Sequence, residues 1–502
     1  MAQGEVVIVG SGLGGLACGV ILAKEGFHVT VLEKNNQIGG MLQTFTRDKV
    51  IFDTGIHYVG GLDKGQTLYR IFSYLGIMEK LKLRKMDNDF FDGVAIGHDP
   101  VIYKYAQGYD NFIRVMTSYF PEEVDAINSY CDKIISICLK FPVYNLASGG
   151  YTDADLSNTT DTQAYLESIT SNQKLITVLA GTSLLYAGEP NKTPLHVHAL
   201  IINHYIESSW KFINGGGQIA RLLSREITSR GGRILKHIHV KELQESGGKI
   251  VYAQCHKGEK YYGDVFISNA HPIKTLEMVN SDLIRNAYRS RLESLDNTVS
   301  VFYVNVVLKK DTVKYQNHNL YVLAQNNPWC AINYTSENWP QGYAVFYNAV
   351  SRETEYTDGV TIMAYMRFDD VKEWGDTYNT VDFESSRGDA YETFKAEKAE
   401  KLFKAVENRL PGFRGAIRSY TAATPLTARD YIGTGDGSLY GFAKDYRNPL
   451  KTMLSPKTKI PNLFLTGQNV NLHGVLGVSL SSIVTCGQVL GTDYIIDKIR
   501  NA

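Results

Sequence analysis

The sequence predicts an α/β protein in which a nucleotide-binding domain with a parallel sheet carries an inserted α+β domain. Three observations lead there. An apolar strand runs into a glycine-rich turn at the amino terminus, a second strand and glycine turn open a helix at the carboxy terminus, and two long stretches of different character lie between them. At 502 residues the chain exceeds the size at which one hydrophobic core keeps growing, so two domains are expected. Hydrophobic residues at 44% and charged residues at 21% exclude the disordered and fibrous classes. The 52 basic residues balance 52 acidic ones, so no field recruits nucleic acid and no nucleic-acid partner is expected.

The elements follow in chain order. Residues 5 to 9, Glu-Val-Val-Ile-Val, read as a buried strand, Leu16 to Ala23 as a helix, and Val29 to Leu32 as a second strand. From Leu68 to about Tyr205 the pattern is mainly helical, with amphipathic stretches around Phe112 to Leu139 and Gln163 to Leu185. Residues 219 to 243 read as helix then strand, with a strand from Ile234 to Val240, and residues 264 to 268 as another buried strand. Val301 to Leu308, Tyr343 to Val350 and Val360 to Met366 are β-rich, and Tyr391 to Leu410 is helical. Asn462 to Leu465 and a helix from about Gly477 close the chain. The expected division is residues 1–62, 206–272 and 441–502 for the nucleotide-binding domain, and 63–205 and 273–440 for a substrate-binding domain.

The chemistry begins at Gly10-Ser11-Gly12-Leu13-Gly14-Gly15, which follows a strand and opens a helix, with Glu33 and Lys34 at the end of the next strand. In a Rossmann-like unit of this kind Gly10 permits the tight turn, Gly12 lets a pyrophosphate approach the backbone, and Gly15 lets helix and strand pack closely. The helix N-terminus then faces the phosphates. Glu33 would accept a hydrogen bond from a ribose 2′-hydroxyl, which disfavours NADP and leaves FAD or NAD.

The continuation, Gly39-Gly40-Met41-Leu42 and then Phe52-Asp53-Thr54-Gly55-Ile56-His57-Tyr58-Val59-Gly60, resembles the FAD-dependent family of phytoene desaturases, carotenoid isomerases and retinol saturases. The resemblance is nearest to the retinol saturase branch. It implies FAD as cofactor, with Gly40, Met41 and Leu42 near the flavin side and Asp53-Thr54-Gly55 bordering the isoalloxazine. Met41 stands where many members carry arginine, so backbone contacts must do more there. At the carboxy terminus the resemblance places Gly467 and Gln468 at the ribityl chain, and Gly477 and Val478 in a helix aimed at the flavin N1 and O2 edge. It also makes Ile267 to Pro272, including Asn269, the return to the cofactor domain, with the strand through Val240 beside the adenine. The implied activity is hydride exchange between flavin and a carbon of an apolar, polyene or isoprenoid-like substrate. Two other readings stay open: a flavin amine oxidase, and a prenyl-binding protein of the GDP-dissociation-inhibitor type that carries no flavin.

His57 and Tyr58 lie close to the expected flavin and are the candidate catalytic residues. Asn214-Gly215-Gly216-Gly217 also fits a glycine-loop pattern, but the segment before it is a weak strand, so no second, NAD(P)H-binding unit is expected. Electrons would pass to or from oxygen, a quinone or a partner reductase. His196, His198 and His204 lack a neighbouring acidic or cysteine ligand, so no metal is expected. The six scattered cysteines include no C-x-x-C pair and read as reduced thiols. No secretory leader is visible, and no run reaches the roughly 18 apolar residues of a membrane-spanning helix. The expected location is cytoplasmic, with any membrane contact peripheral.

Overall fold

Val6, Val7 and Ile8 are β-branched and fully buried, so Glu5–Val9 forms a strand covered on both faces. In the computed structural model, which describes residues 3–149, 160–351, 353–381, 383–470 and 472–502, this strand is the centre of a five-stranded parallel sheet. The order is Arg233–Leu235, His28–Leu32, Glu5–Val9, Val265–Ser268, Leu463–Leu465, with Ile8 set between Val31 and Ile267. Three separated stretches of chain therefore build one sheet. Helix Leu13–Lys24 is buried from Leu13 to Ala23, because it lies between helices Gly217–Thr228 and Gly474–Leu490 and has no solvent face.

A second, seven-stranded sheet runs Ile417–Ala423, Ser300–Leu308, Gly359–Met366, Gly342–Tyr347, Asn319–Leu323, Asp92–Ile96, Ile102–Tyr105. It is antiparallel except where Asn319–Leu323 lies parallel to Asp92–Ile96. That one parallel pairing fuses the two insertions into a single layer. The strand Ser300–Leu308 alternates as strand geometry demands. Phe302, Val304 and Val306 pack with helix Gly388–Glu407, while Val301 and Tyr303 face the core shared with the nucleotide-binding sheet.

Some elements differ from what the sequence predicts. The stretch 68–205 is mainly helical, as expected, and also holds the strands Asp92–Ile96 and Ile102–Tyr105. The first of them is buried at every residue and so shows no alternation to the sequence reader. The strand expected from Ile234 to Val240 is two strands: His237 adopts φ 59° and turns the chain, so that Val240 begins an antiparallel sheet, Val240–Ser246, Lys249–Cys255 and Lys260–Tyr262. The last long helix starts at Gly474 rather than Gly477. Helix Thr67–Tyr74 packs on Thr492–Arg500. Residues from Leu276 to Leu295 likewise share a core cluster with Val7, Val9 and Phe266.

Candidate functional site

The amino-terminal turn is built for close approach. Gly10 takes φ 93°, a left-handed conformation that glycine adopts without strain, and a Cβ on Gly15 would overlap the Gly10 carbonyl oxygen. Gly12 caps helix Leu13–Lys24 with no side chain of its own, leaving the first-turn N–H groups directed out of the helix end. A Cβ on Gly12 would lie 2.6 Å from the Asn269 amide nitrogen, and one on Gly14 would lie 2.5 Å from its amide oxygen. Gly467 closes on the same amide, and Gly40 on the Gly12 backbone. Gly10, Gly12, Gly14, Gly40, Asn269 and Gly467, expected together from sequence, therefore form one cradle.

Glu33 ends the second strand and is 5% exposed. Its carboxylate accepts the Ser11 N–H at 3.0 Å, the Ser11 hydroxyl at 2.5 Å and the Asn35 N–H at 2.8 Å. It therefore braces the turn from below. Lys34 points elsewhere, donating to the Asp430 carbonyl at 3.1 Å. Val240 lies beyond Glu33 in a cluster with Val9 and Leu32, and the Ile238 N–H donates to the Glu33 carbonyl at 2.8 Å.

Asp53, Thr54 and Gly55 follow the hairpin Thr44–Arg47 and Val50–Asp53. Asp53 accepts the Gly216 N–H at 2.7 Å, and burial pushes its carboxyl up to about 7. Its role in this structure is to tie down the Asn214–Gly217 loop. Thr54 donates to the Gln43 carbonyl at 3.0 Å, and Gly55 lies against Met41. Leu42 is buried in the main core. Gln468 is half-buried in the turn after Leu463–Leu465, and Val478 is half-buried on the last long helix. A Cβ on Gly477 would sit 2.6 Å from the Leu472 carbonyl, which fixes that helix against its own entry turn.

Between Gly55–Val59 and the start of helix Gly474–Leu490 lies a cavity of about 110 Å3, partly open to solvent. Tyr205, Tyr303, Phe346, Tyr440 and His473 line it along with apolar residues. Among the described residues no carboxylate and no lysine does so. His57 stacks on Phe346 at 4.3 Å between ring centres and 12° between planes, and burial pushes its imidazole down to about 3, so it is neutral at physiological pH. Tyr58 presents its ring to the cavity, but its hydroxyl turns away, donating to Asp92 at 2.6 Å and lying 2.7 Å from the Tyr321 hydroxyl.

Behind Tyr58 lies a buried polar network that the sequence did not disclose. Asp92 also accepts from the Asn319 amide at 2.9 Å, and burial pushes its carboxyl up to about 8. Lys211, 1% exposed, donates to the carbonyls of Gln316, His318 and Tyr347 at 3.2 to 3.4 Å, with its ammonium pushed down to about 7 by burial. The histidine trio is dispersed into separate roles. His198 is held between the hydroxyls of Tyr130 and Tyr186 at 2.8 Å each, while His204 faces the cavity. The strand before Gly215, Ser209–Phe212, pairs antiparallel with Val59–Gly60 and Leu83–Lys85 and is outside the five-stranded sheet. All six cysteines are free and buried. No helix of the described residues is long and apolar enough to cross a membrane.

Fold and site together define a Rossmann-like architecture: a glycine cradle at the carboxy-terminal end of the central strand of a parallel sheet, and an apolar cavity between the last long helix and the seven-stranded sheet. The NAD(P)-binding Rossmann-like domain family matches residues 8–75. The curated proteins that the chain resembles over nearly its full length include all-trans-retinol 13,14-reductases and prolycopene isomerases. The reductase of Homo sapiens is 27% identical over 99% of this chain and 87% of that protein, and the chloroplastic prolycopene isomerase of Arabidopsis thaliana is 21% identical over 98% and 84%. Among solved structures, putrescine oxidase bound to putrescine aligns with a TM-score of 0.64 at 13% identity, covering 98% of this chain and 99% of that one. A fatty acid isomerase from P. acnes aligns with a TM-score of 0.59 at 14% identity, covering 96% and 97%.

Proposed function

We propose that the protein is an FAD-dependent oxidoreductase that acts on carbon–carbon bonds of an apolar, polyene or isoprenoid-like substrate. The observation that carries this reading is the apolar, aromatic-lined cavity that meets the glycine cradle's continuation at Gly55 and the helix that starts at Gly474. The cradle fits a dinucleotide: several of its positions would clash with neighbouring atoms if they carried a Cβ, and the first turn of the helix that follows has no side-chain cap on its N–H groups.

FAD would be held by the backbone of Gly10 to Gly15 at its pyrophosphate, by Glu33 at its ribose, and by Gly40 to Leu42, Asn269, Gly467, Gln468 and Gly477 toward the flavin. When bound, it supplies the hydride-transfer chemistry. The chain contributes position and environment. Ser11 and Asn35 hold Glu33 in place, the Gly474 helix end offers N–H groups to negative charge, and His57, kept neutral, can donate or accept one hydrogen bond. The aromatic lining keeps water from the reacting carbons.

Among the described residues neither a carboxylate nor a lysine lines this cavity, so an amine would have to be seated by the aromatic faces alone. The likeness to putrescine oxidase, at 13% identity, concerns the fold. A prenyl-binding protein without flavin would leave the cradle without a purpose. Oxygen, a quinone or a reductase remain the electron partners of this reading, and peripheral docking at a membrane would bring an apolar substrate to the cavity. The test is to incubate the purified protein, in its reduced and in its oxidised form, with polyenes and with amines under anaerobic conditions and analyse the extracts by mass spectrometry, so that the flavin itself supplies or accepts the electron pair. A product differing by a pair of hydrogens, or an isomer of unchanged mass, supports the reading. Consumption of amines with polyenes left untouched overturns it.

A further inference from the structure

A second pocket lies next to the turn Ser183–Leu185. Leu185 lines the cavity already described, while the Ser183 hydroxyl donates to the Pro328 carbonyl at 2.7 Å and ties the turn to the wall of this other pocket. It measures about 410 Å3, within the range of small-molecule sites. Its walls come from helices Thr162–Ile169 and Gln173–Leu179 and from the loops at 190–191 and 326–329.

The lining is unlike that of the first cavity. Ile176, Pro328 and Trp329 are buried, Gln163 and Asn327 are half-buried, and Gln173, Asn191 and Asn326 are exposed. Five carboxamides thus surround one aromatic residue, and among the described residues no charged side chain lines the pocket. The charges nearest in sequence are committed to one another, Glu189 to Lys192 at 3.1 Å and Lys174 to Asp99 at 3.0 Å.

Two polar atoms of this lining are buried without a partner among the described residues, Trp329 Nε1 and Gln163 Oε1. Trp329 is 3% exposed. A Cβ on Gly188 would lie 2.6 Å from Cζ3 of its ring, so the six-membered ring is packed on Gly188 and the opposite, Nε1 corner is left to the pocket. The Gln163 amide is oriented by its own helix, because its Nε2 donates to Glu167 at 2.6 Å and only Oε1 remains. One buried donor and one buried acceptor, each costly to leave unpaired, favour a ligand whose groups act in both senses.

We propose that this pocket is a second binding site and that its ligand is a neutral sugar. A sugar hydroxyl can donate to Gln163 Oε1 or accept from Trp329 Nε1, and adjacent hydroxyls meet the remaining carboxamides, each of which offers a donor and an acceptor. The C–H face of the ring covers the apolar surface of Ile176 and Pro328. A phosphorylated or amino sugar brings a charge that this lining does not pair, and a hydrocarbon leaves both buried atoms unsatisfied. The site stands independently of the flavin and polyene readings.

Saturation-transfer NMR on the intact chain reads weak binding directly, with glucose, galactose, maltose and lactose as probes and glucose 6-phosphate and glucosamine as charged controls. Transfer is expected to at least one neutral sugar and to neither control. Gln163→Leu and Trp329→Phe are each expected to weaken that sugar about tenfold, with thermal unfolding as the check on folding. Trp329 is buried, so Gln163→Leu, at a half-buried helix position, decides the matter where the phenylalanine variant fails to fold. Transfer to none of the neutral sugars, equal transfer to the charged controls, or unchanged affinity in folded Gln163→Leu overturns the site.

Discussion

Gly15 sits where the first helix comes closest to the first strand, and no side chain fits there: a Cβ would overlap the Gly10 carbonyl oxygen and reach 3.2 Å from Ile8. Gly15→Val is expected to displace the helix end, cost about 1–3 kcal/mol of stability and lose bound flavin. Thermal unfolding and flavin stoichiometry check this, and a folded variant with normal stoichiometry contradicts it. Glu33→Ala removes the acceptor for Ser11 and Asn35 and, in the proposed reading, for a ribose hydroxyl. FAD binding, measured by calorimetry, is expected to weaken by about 1.5–3 kcal/mol without unfolding, whereas an unchanged Kd means another residue holds the ribose. These residues were legible in the sequence because the cradle is a backbone device whose glycine spacing is set by one turn. Tyr303, Phe346, Tyr440 and His204 were not, because each comes from a different strand, loop or helix and reaches the cavity only through the packing of one layer on another. His473 had a readable signal: it directly precedes Gly474 in the motif that opens the last long helix.

Among the elements, the strand Asp92–Ile96 matters most to the site, since it carries Asp92 behind Tyr58 and joins the two insertions. It escaped the sequence reading because Asp92 and Gly93 at its start look like loop residues and the remaining Val-Ala-Ile is too short to show a period. The long strands Ser300–Leu308 and Gly359–Met366 were legible for the opposite reason, being longer and rich in β-branched and aromatic residues. Asp92 also gives the fold a pH dependence. Its carboxyl is raised from 3.8 to about 8, so between those values the folded state keeps a proton that the unfolded chain has released, and stability falls as pH rises through that window. Asp53, raised to about 7, acts in the same direction, while Lys211, lowered from 10.5 to about 7, acts oppositely at higher pH. Denaturant unfolding of Asp92→Asn between about pH 5 and pH 7 is expected to show a smaller loss of stability than the wild type, with the Asp53 contribution remaining. Parallel pH profiles for the two proteins would contradict the placement of a protonated Asp92.

At the scale of the whole molecule, the five-stranded sheet offers one cradle, at the carboxy-terminal end of its central strand, and the loop from Asn214 to Gly217 is spent on Asp53 and on the turn into helix Gly217–Thr228. The strand leading into that loop belongs to a different, antiparallel sheet, so it lacks the parallel strand from which a second dinucleotide site is built. Anaerobic stopped-flow mixing with NADH and NADPH is therefore expected to leave the flavin oxidised, while rapid, saturable bleaching by either nucleotide would locate a second site. The central claim is that the cradle from Gly10 to Gly467 holds FAD, and the most direct measurement is the visible absorption spectrum of the purified protein before and after denaturation. The account predicts a yellow protein whose flavin is released on unfolding as FAD, close to one per chain; a colourless protein that cannot be reconstituted with FAD would contradict it.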